Sequence, residues 1–113
     1  MEELRQIETS VLLEIYGQLL TQKQREALDM HLNLDYSLAE IAENQNISRQ
    51  AALDAIRRGS ARLEELEAQL GIYAKFRASM ENIEQMERAV EGGADTSVLR
   101  RLLAEARAVW EES

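Results

Sequence analysis

Three residues with short hydroxyl side chains, Thr21, Ser37 and Ser48, each stand just before a run that reads as a helix, and their spacing dictates what the middle of the chain can become. An oxygen at such a position accepts a backbone N–H of the first helical turn, a group with no partner inside the helix. Gln24 and Glu40 lie three residues after Thr21 and Ser37, where a longer polar side chain reaches back to the N–H of the capping residue. After Ser37, the apolar positions Leu38, Ile41 and Ala42 fit a short helix, and Ile47 stands where a hydrophobic staple packs just ahead of Ser48. Between them, Asn44-Gln45-Asn46 reads as a tight polar turn. One element earlier, Ala27, Leu28 and Met30 to Leu32 form an apolar side that can face this pair. The stretch from Leu20 to Leu70 therefore reads as helix, short helix, turn and a longer helix opening Ser48-Arg49-Gln50, three helices around one small core. That is the layout of a helix-turn-helix nucleic-acid reader.

At about 100° per residue, the longer helix gathers Ala52, Ile56, Gly59, Leu63, Leu66 and Leu70 into one stripe, which predicts its buried side. Gln50, Asp54 and Arg57 fall opposite, with Arg49 and Leu53 on one flank and Arg58 on the other. Arginine and glutamine suit a groove, because a guanidinium binds guanine or phosphate in a forked manner and an amide pairs with adenine. Asp54 points the other way, since a carboxylate repels phosphate, and Arg57 or Arg58 stands at the right distance along the helix to neutralise it. Any one of these arginines also fits the plain role of a charge on a solvated helix face. Gly59 costs a helix about 1 kcal/mol relative to alanine unless close packing of another helix compensates.

The chain carries 13 Lys and Arg against 21 Asp and Glu, a formal net charge of −8, which is awkward for a protein that must attract phosphates. Between residues 21 and 62, six basic residues (Lys23, Arg25, Arg49, Arg57, Arg58, Arg62) face six acidic ones (Glu26, Asp29, Asp35, Glu40, Glu43, Asp54), so the whole excess lies in the flanks. A neutral reader inside acidic arms weakens indiscriminate binding to duplex DNA and suits a specific site or a basic protein partner. The chain has no proline, and Ala, Leu, Glu, Gln and Arg dominate it, so an all-α fold follows from propensity as well as from period. With no cysteine, no signal-peptide pattern and no apolar run of membrane-spanning length, the expected location is the cytoplasm.

N-terminal and C-terminal flanking helices complete the expected fold. Leu4, Ile7, Val11, Leu12, Ile15, Tyr16 and Leu19 predict an amphipathic helix over residues 4–20, packed against the long helix. After Gly71 the pattern resumes with Ile72, Tyr73, Phe76, Met80, Ile83, Met86 and Val90 and breaks at Gly92-Gly93. A last helix follows, capped by Asp95 or Thr96, with Trp110 as its anchor. This organisation predicts an N-terminal helix plus helix-turn-helix over 1–70, with the reader unit at 21–62, and a C-terminal helical arm over 71–113. Leu63, Leu66, Leu70 and Tyr73 continue a heptad-like stripe, an internal packing face or, in a homodimer, a seam between two copies.

Nothing in the chain assembles a nucleophile, base and orienting group, and no glycine-rich loop stands ready to cradle phosphate. His31 is the lone histidine, and one imidazole with Asp29 and Asp35 at a helix end makes a poor metal site. The expectation is a protein that is not an enzyme and takes neither metal nor cofactor.

The segments Leu20-Thr21-Gln22-Lys23-Gln24-Arg25, Asp35 to Glu43 and Ile47-Ser48-Arg49-Gln50-Ala51, with the spacing between them, resemble the YlxM family of small bacterial proteins. The resemblance is strongest from Leu20 to Arg58, includes the N-terminal helix through Tyr16, and loosens after Gly71. It implies a wingless helix-turn-helix like region four of bacterial sigma factors. Because the family is usually encoded beside the GTPases of the signal recognition particle, it also implies a part in targeting nascent membrane and secreted proteins. Carried over by position, its reader motif falls on Ser48, Arg49, Gln50, Asp54, Arg57 and Arg58, while Leu53 and Ala55 replace an aromatic and an amide. The partners so implied are the particle's RNA, its GTPase protein, or both. Duplex DNA, read by a transcriptional regulator, and a protein-docking role without nucleic acid are the alternatives. None of these readings calls for insertion into a membrane.

Overall fold

The computed structural model describes residues 2–111, with side chains from residue 5 onward, so Leu4 of the expected N-terminal stripe lies outside the described side chains. Among the described residues, six α-helices follow one another: α1 (Glu2–Tyr16), α2 (Gln22–Leu32), α3 (Leu38–Gln45), α4 (Arg49–Leu70), α5 (Ile72–Glu91) and α6 (Thr96–Glu111), with one 3-10 turn at Gly17–Leu19. No strand occurs among the described residues. The helices form two compact units, Met1–Gly71 and Ile72–Ser113.

In the first unit, α1 and α2 pack on α4 and on each other, and α3 lies against α2 and α4. Their starts follow from the capping residues. Thr21 Oγ1 accepts the N–H of Gln24 at 3.2 Å while Gln24 Oε1 accepts the N–H of Thr21 at 3.3 Å. Ser37 and Glu40 repeat this arrangement at α3 with distances of 3.1 and 3.0 Å. At α4, Ser48 Oγ accepts the N–H of Ala51 at 3.0 Å. Thr21→Ala and Ser48→Ala are each expected to lower the stability of this unit by about 1 kcal/mol, read as a shift of the denaturation midpoint at unchanged slope.

The box at α3 also makes a pH-dependent contribution. The backbone N–H of Ser37, and after it the Ser37 side chain, hold the Glu40 carboxyl below its ordinary value. A carboxylate whose folded pKa is lowered stabilises the fold above its unfolded pKa, and that contribution fades as pH falls through the lowered value. Glu40→Gln is therefore expected to flatten the acid side of the stability curve, in denaturant titrations run from neutral pH down through the carboxylate range.

The core is built from Leu12, Leu13, Tyr16, Leu28, Ile41, Ala52, Ile56, Leu63 and their neighbours. Tyr16 closes one end, its hydroxyl donating to Glu67 Oε1 at 2.6 Å, which ties the end of α1 to the last turns of α4. Three expectations need correction. The N-terminal α-helix stops at Tyr16 and the chain tightens into a 3-10 turn, so the register shifts. Leu20 thereby enters the core and Leu19 stands 60% exposed; within α1, ahead of that turn, Leu13 is buried and Ile7 is 60% exposed. Leu70 leaves the expected stripe and stands 48% exposed, because α4 continues past the level at which Tyr16 and Glu67 join it to α1. Finally, the polar turn is shorter than Asn44-Gln45-Asn46, since α3 runs through Gln45.

In the second unit α5 and α6 form a hairpin turned at Gly92 and Gly93, the latter in the left-handed region at φ 70°. Asp95 Oδ1 accepts both the hydroxyl and the N–H of Ser97 at 2.7 Å and caps the start of α6. Trp110 does anchor α6, its indole N–H donating to Ser79 Oγ on α5, yet half of it remains exposed.

Candidate nucleic-acid interface

The path from α3 to α4 fixes where the reader residues point. Asn46 adopts the left-handed conformation at φ 59° and ψ 48°, and asparagine tolerates this better than other non-glycine residues. The N–H of Ile47 then donates to the carbonyl of Ala42 at 2.9 Å, the wrap-around bond that ends a helix abruptly. Gln45 is buried beneath this turn. Its Nε2 donates to the carbonyl of Lys23 at 3.0 Å, and Lys23 Nζ donates to the carbonyl of Gln45 at 3.3 Å. This reciprocal pair clamps the end of α3 to the first turn of α2. It also sets the Lys23 ammonium beside the turn, a placement that the pattern of apolar residues does not reveal because it depends on how α2 crosses α3.

α4 then presents its two sides as the 100° rotation predicts. Ala52, Ile56, Gly59, Leu63 and Leu66 are buried, and Arg49, Gln50, Asp54, Arg57 and Arg58 are exposed. Gly59 sits where α2 crosses α4: a Cβ there would come within 2.7 Å of Leu28 Cδ1 and 3.3 Å of Gln24 Cβ. The glycine thus lets α2 seat deeply enough to brace the outer face of α4.

The seven residues singled out from the sequence do not all stand alike. Ser48 is exposed, but its oxygen is engaged by the N–H of Ala51, so the hydroxyl proton is what it can still offer. Leu53 is half-buried on the flank of the face. Asp54 Oδ2 meets Arg58 Nε at 3.0 Å with both side chains more than half exposed. Such a pair one turn apart on an open helix contributes only about 0.5 kcal/mol, so an incoming phosphate can draw Arg58 away at little cost. Among the described residues, Arg49 and Arg57 enter no ion pair, and Gln50 lies between them in the exposed first turns. Two unengaged guanidinium groups, one loosely held guanidinium and one amide share the solvent side of α4, braced from behind by α2 and entered through α3. A helix carrying forked donors on one open side can contact phosphates and base edges.

Residues 3–99 match the model of the UPF0122 family, described as "Putative helix-turn-helix protein, YlxM / p13 like". The chain belongs to this family. The match extends beyond Gly71 through all of α5 into the first turn of α6, further than the loosening resemblance suggested. Among UPF0122 relatives, a UPF0122 protein of Acetivibrio thermocellus is 51% identical over 84 residues, covering 74% of this chain and 67% of its own length. One of Limosilactobacillus reuteri is 40% identical over 102 residues, with 89% and 90% covered. A third, of Halalkalibacterium halodurans, is 42% identical over 92 residues, with 81% and 84% covered. The UPF0122 description is that of a helix-turn-helix family and not of an enzyme family. Among the described residues, no helix is long and apolar enough to cross a membrane.

Proposed function

We propose that this UPF0122 protein is a non-catalytic nucleic-acid-binding accessory of the signal recognition particle, contacting the particle's RNA, its GTPase, or both. One observation carries the nucleic-acid part: the exposed side of α4 holds Gln50 together with Arg49 and Arg57, which enter no ion pair among the described residues, while its opposite side is packed against α2. Ser48, Leu53, Asp54 and Arg58 complete the proposed contact surface. A-form RNA has a major groove too narrow for an inserted helix, so the contacts fall on phosphates and on bases displayed in loops or distorted regions. The RNA and GTPase assignment rests on the YlxM resemblance. The acidic flanks supply what a basic protein partner requires, and keep nonspecific binding to duplex low.

The test is a titration of the protein into fluorescently labelled signal recognition particle RNA at near-physiological salt, read by anisotropy, with unrelated duplex DNA as competitor. Binding that survives the competitor is the expected outcome. A second reading, a DNA-binding regulator, is favoured by the breadth of the exposed α4 side, since the major groove of B-DNA admits a helix. It predicts that the competitor wins and that binding requires paired half-sites about one helical turn apart.

A further inference from the structure

The C-terminal hairpin buries very little for a unit built of apolar faces. Among the described residues, Leu102 is its one buried core residue, and α5 has none. α6 covers the side of α5 that carries Ser79 and Asn82: the Trp110 indole N–H donates to Ser79 Oγ, and Asn82 Nδ2 donates to the carbonyl of Leu102 at 3.4 Å and to Glu105 Oε2 at 3.3 Å. At 100° per residue, Phe76, Met80, Ile83 and Val90 form a second stripe next to the covered one. These four are between 38% and 62% exposed. Ser79 lies at the border of the two stripes, so Trp110, bonded to it, and Leu103, two turns earlier on the same side of α6, line the other edge of the open face. Trp110 is 51% and Leu103 56% exposed.

We propose that this face is covered by the same face of a second copy of the chain. The two hairpins make a four-helix bundle with its two-fold axis along the helices, so that α5 of each protomer lies on α6 of the other. Two features select this occupant. Six large apolar side chains, each 38–62% exposed, lie together on one face, the kind of contiguous apolar patch that marks an interface. The rim charges are also self-complementary. Glu84 and Glu91 border the stripe on α5 and Glu87 lies within it, whereas Arg100 and Arg107, the latter paired with Glu111 at 2.8 Å, border it on α6. The antiparallel pairing of Asn82 with Leu102 and Glu105 sets Arg100 level with Glu87 in one hairpin. An axis parallel to the helices preserves that level and brings Glu87 opposite Arg100 of the second copy. Among the described residues, none of Arg100, Glu84, Glu87 and Glu91 enters an ion pair within the chain, which leaves them free for one between chains. A face with acidic residues on its α5 side and basic ones on its α6 side fits a copy of itself rotated about that axis better than a partner of a single sign.

The full chain is expected to sediment as a concentration-dependent dimer at tens of micromolar. Glu87→Arg and Arg100→Glu are each expected to weaken association about tenfold, and the two together to restore it. Ile83→Asp, at an exposed position, should give monomer with unchanged helix content. A wild-type chain that stays monomeric across that range overturns the proposal, as does a dimer indifferent to Ile83→Asp or a double charge swap that fails to recover. None of these outcomes depends on nucleic acid, so the dimer and the reading of α4 stand or fall separately.

Discussion

Gly59→Leu is expected to destabilise the N-terminal unit by about 3 kcal/mol or more, against a total for such a domain on the order of 5–15 kcal/mol. A Cβ alone would lie 2.7 Å from Leu28 Cδ1, and Leu28 has no exposed surface and therefore no space into which to withdraw. The second obstacle is less yielding still, since Gln24 Cβ at 3.3 Å is held directly by the backbone of α2. Two opposed effects meet in Gly59→Ala. The helix gains about 1 kcal/mol in propensity, while the crossing loses ~1–3 kcal/mol to overpacking, so a smaller net loss is expected. Denaturant unfolding followed by far-UV circular dichroism checks both. A stabilised Gly59→Ala would mean that α2 does not approach α4 as closely as the crossing requires. Because α2 braces α4 from behind, Gly59→Leu should also remove nucleic-acid binding without touching the exposed face.

Local features were the most legible in the chain. The caps at Thr21, Ser37 and Ser48 and the buried stripe of α4 follow from short-range hydrogen bonding and from period, and the structure has them at those residues. Where the outcome depended on another element, the pattern fell short. Gln45 reads as a turn residue by its polarity, but the carbonyl of Lys23 offers its amide a partner, so it can be buried as part of α3. Leu19 fits the helical period of the first segment, yet the 3-10 turn after Tyr16 rotates Leu20 inward instead. The apolar faces of α5 and α6 were equally plain, but period does not tell which half of a wide face a single partner helix will cover. At the candidate site, rotation separated the exposed from the buried residues. It did not resolve which of Arg57 and Arg58 Asp54 would hold, because both spacings are allowed on a helix, nor that Lys23 stands beside the turn.

The second large effect concerns the exposed side of α4. On the proposed function, Arg49→Ala with Arg57→Ala is expected to weaken binding to the signal recognition particle RNA by roughly 10- to 100-fold for each side chain, from ~1–3 kcal/mol per lost contact. Both residues are exposed and lie outside the core, so the fold should be unaffected and the loss can be read as lost contact. Arg58→Ala should do less, because Arg58 must first leave Asp54, and the pair itself contributes little. Gln50→Ala is expected to alter preference among RNA sequences more than affinity, since an amide reads base edges and carries no charge for phosphate.

The decisive measurement is the salt dependence of that binding, taken side by side for the wild-type chain and the Arg49→Ala, Arg57→Ala variant on the labelled signal recognition particle RNA. If α4 is the reader, log affinity falls linearly with log salt for both, and the variant shows weaker binding with a slope shallower by about two, one for each phosphate contact removed. Equal affinities and equal slopes would contradict the assignment, and would place any nucleic-acid contact elsewhere than on the exposed side of α4.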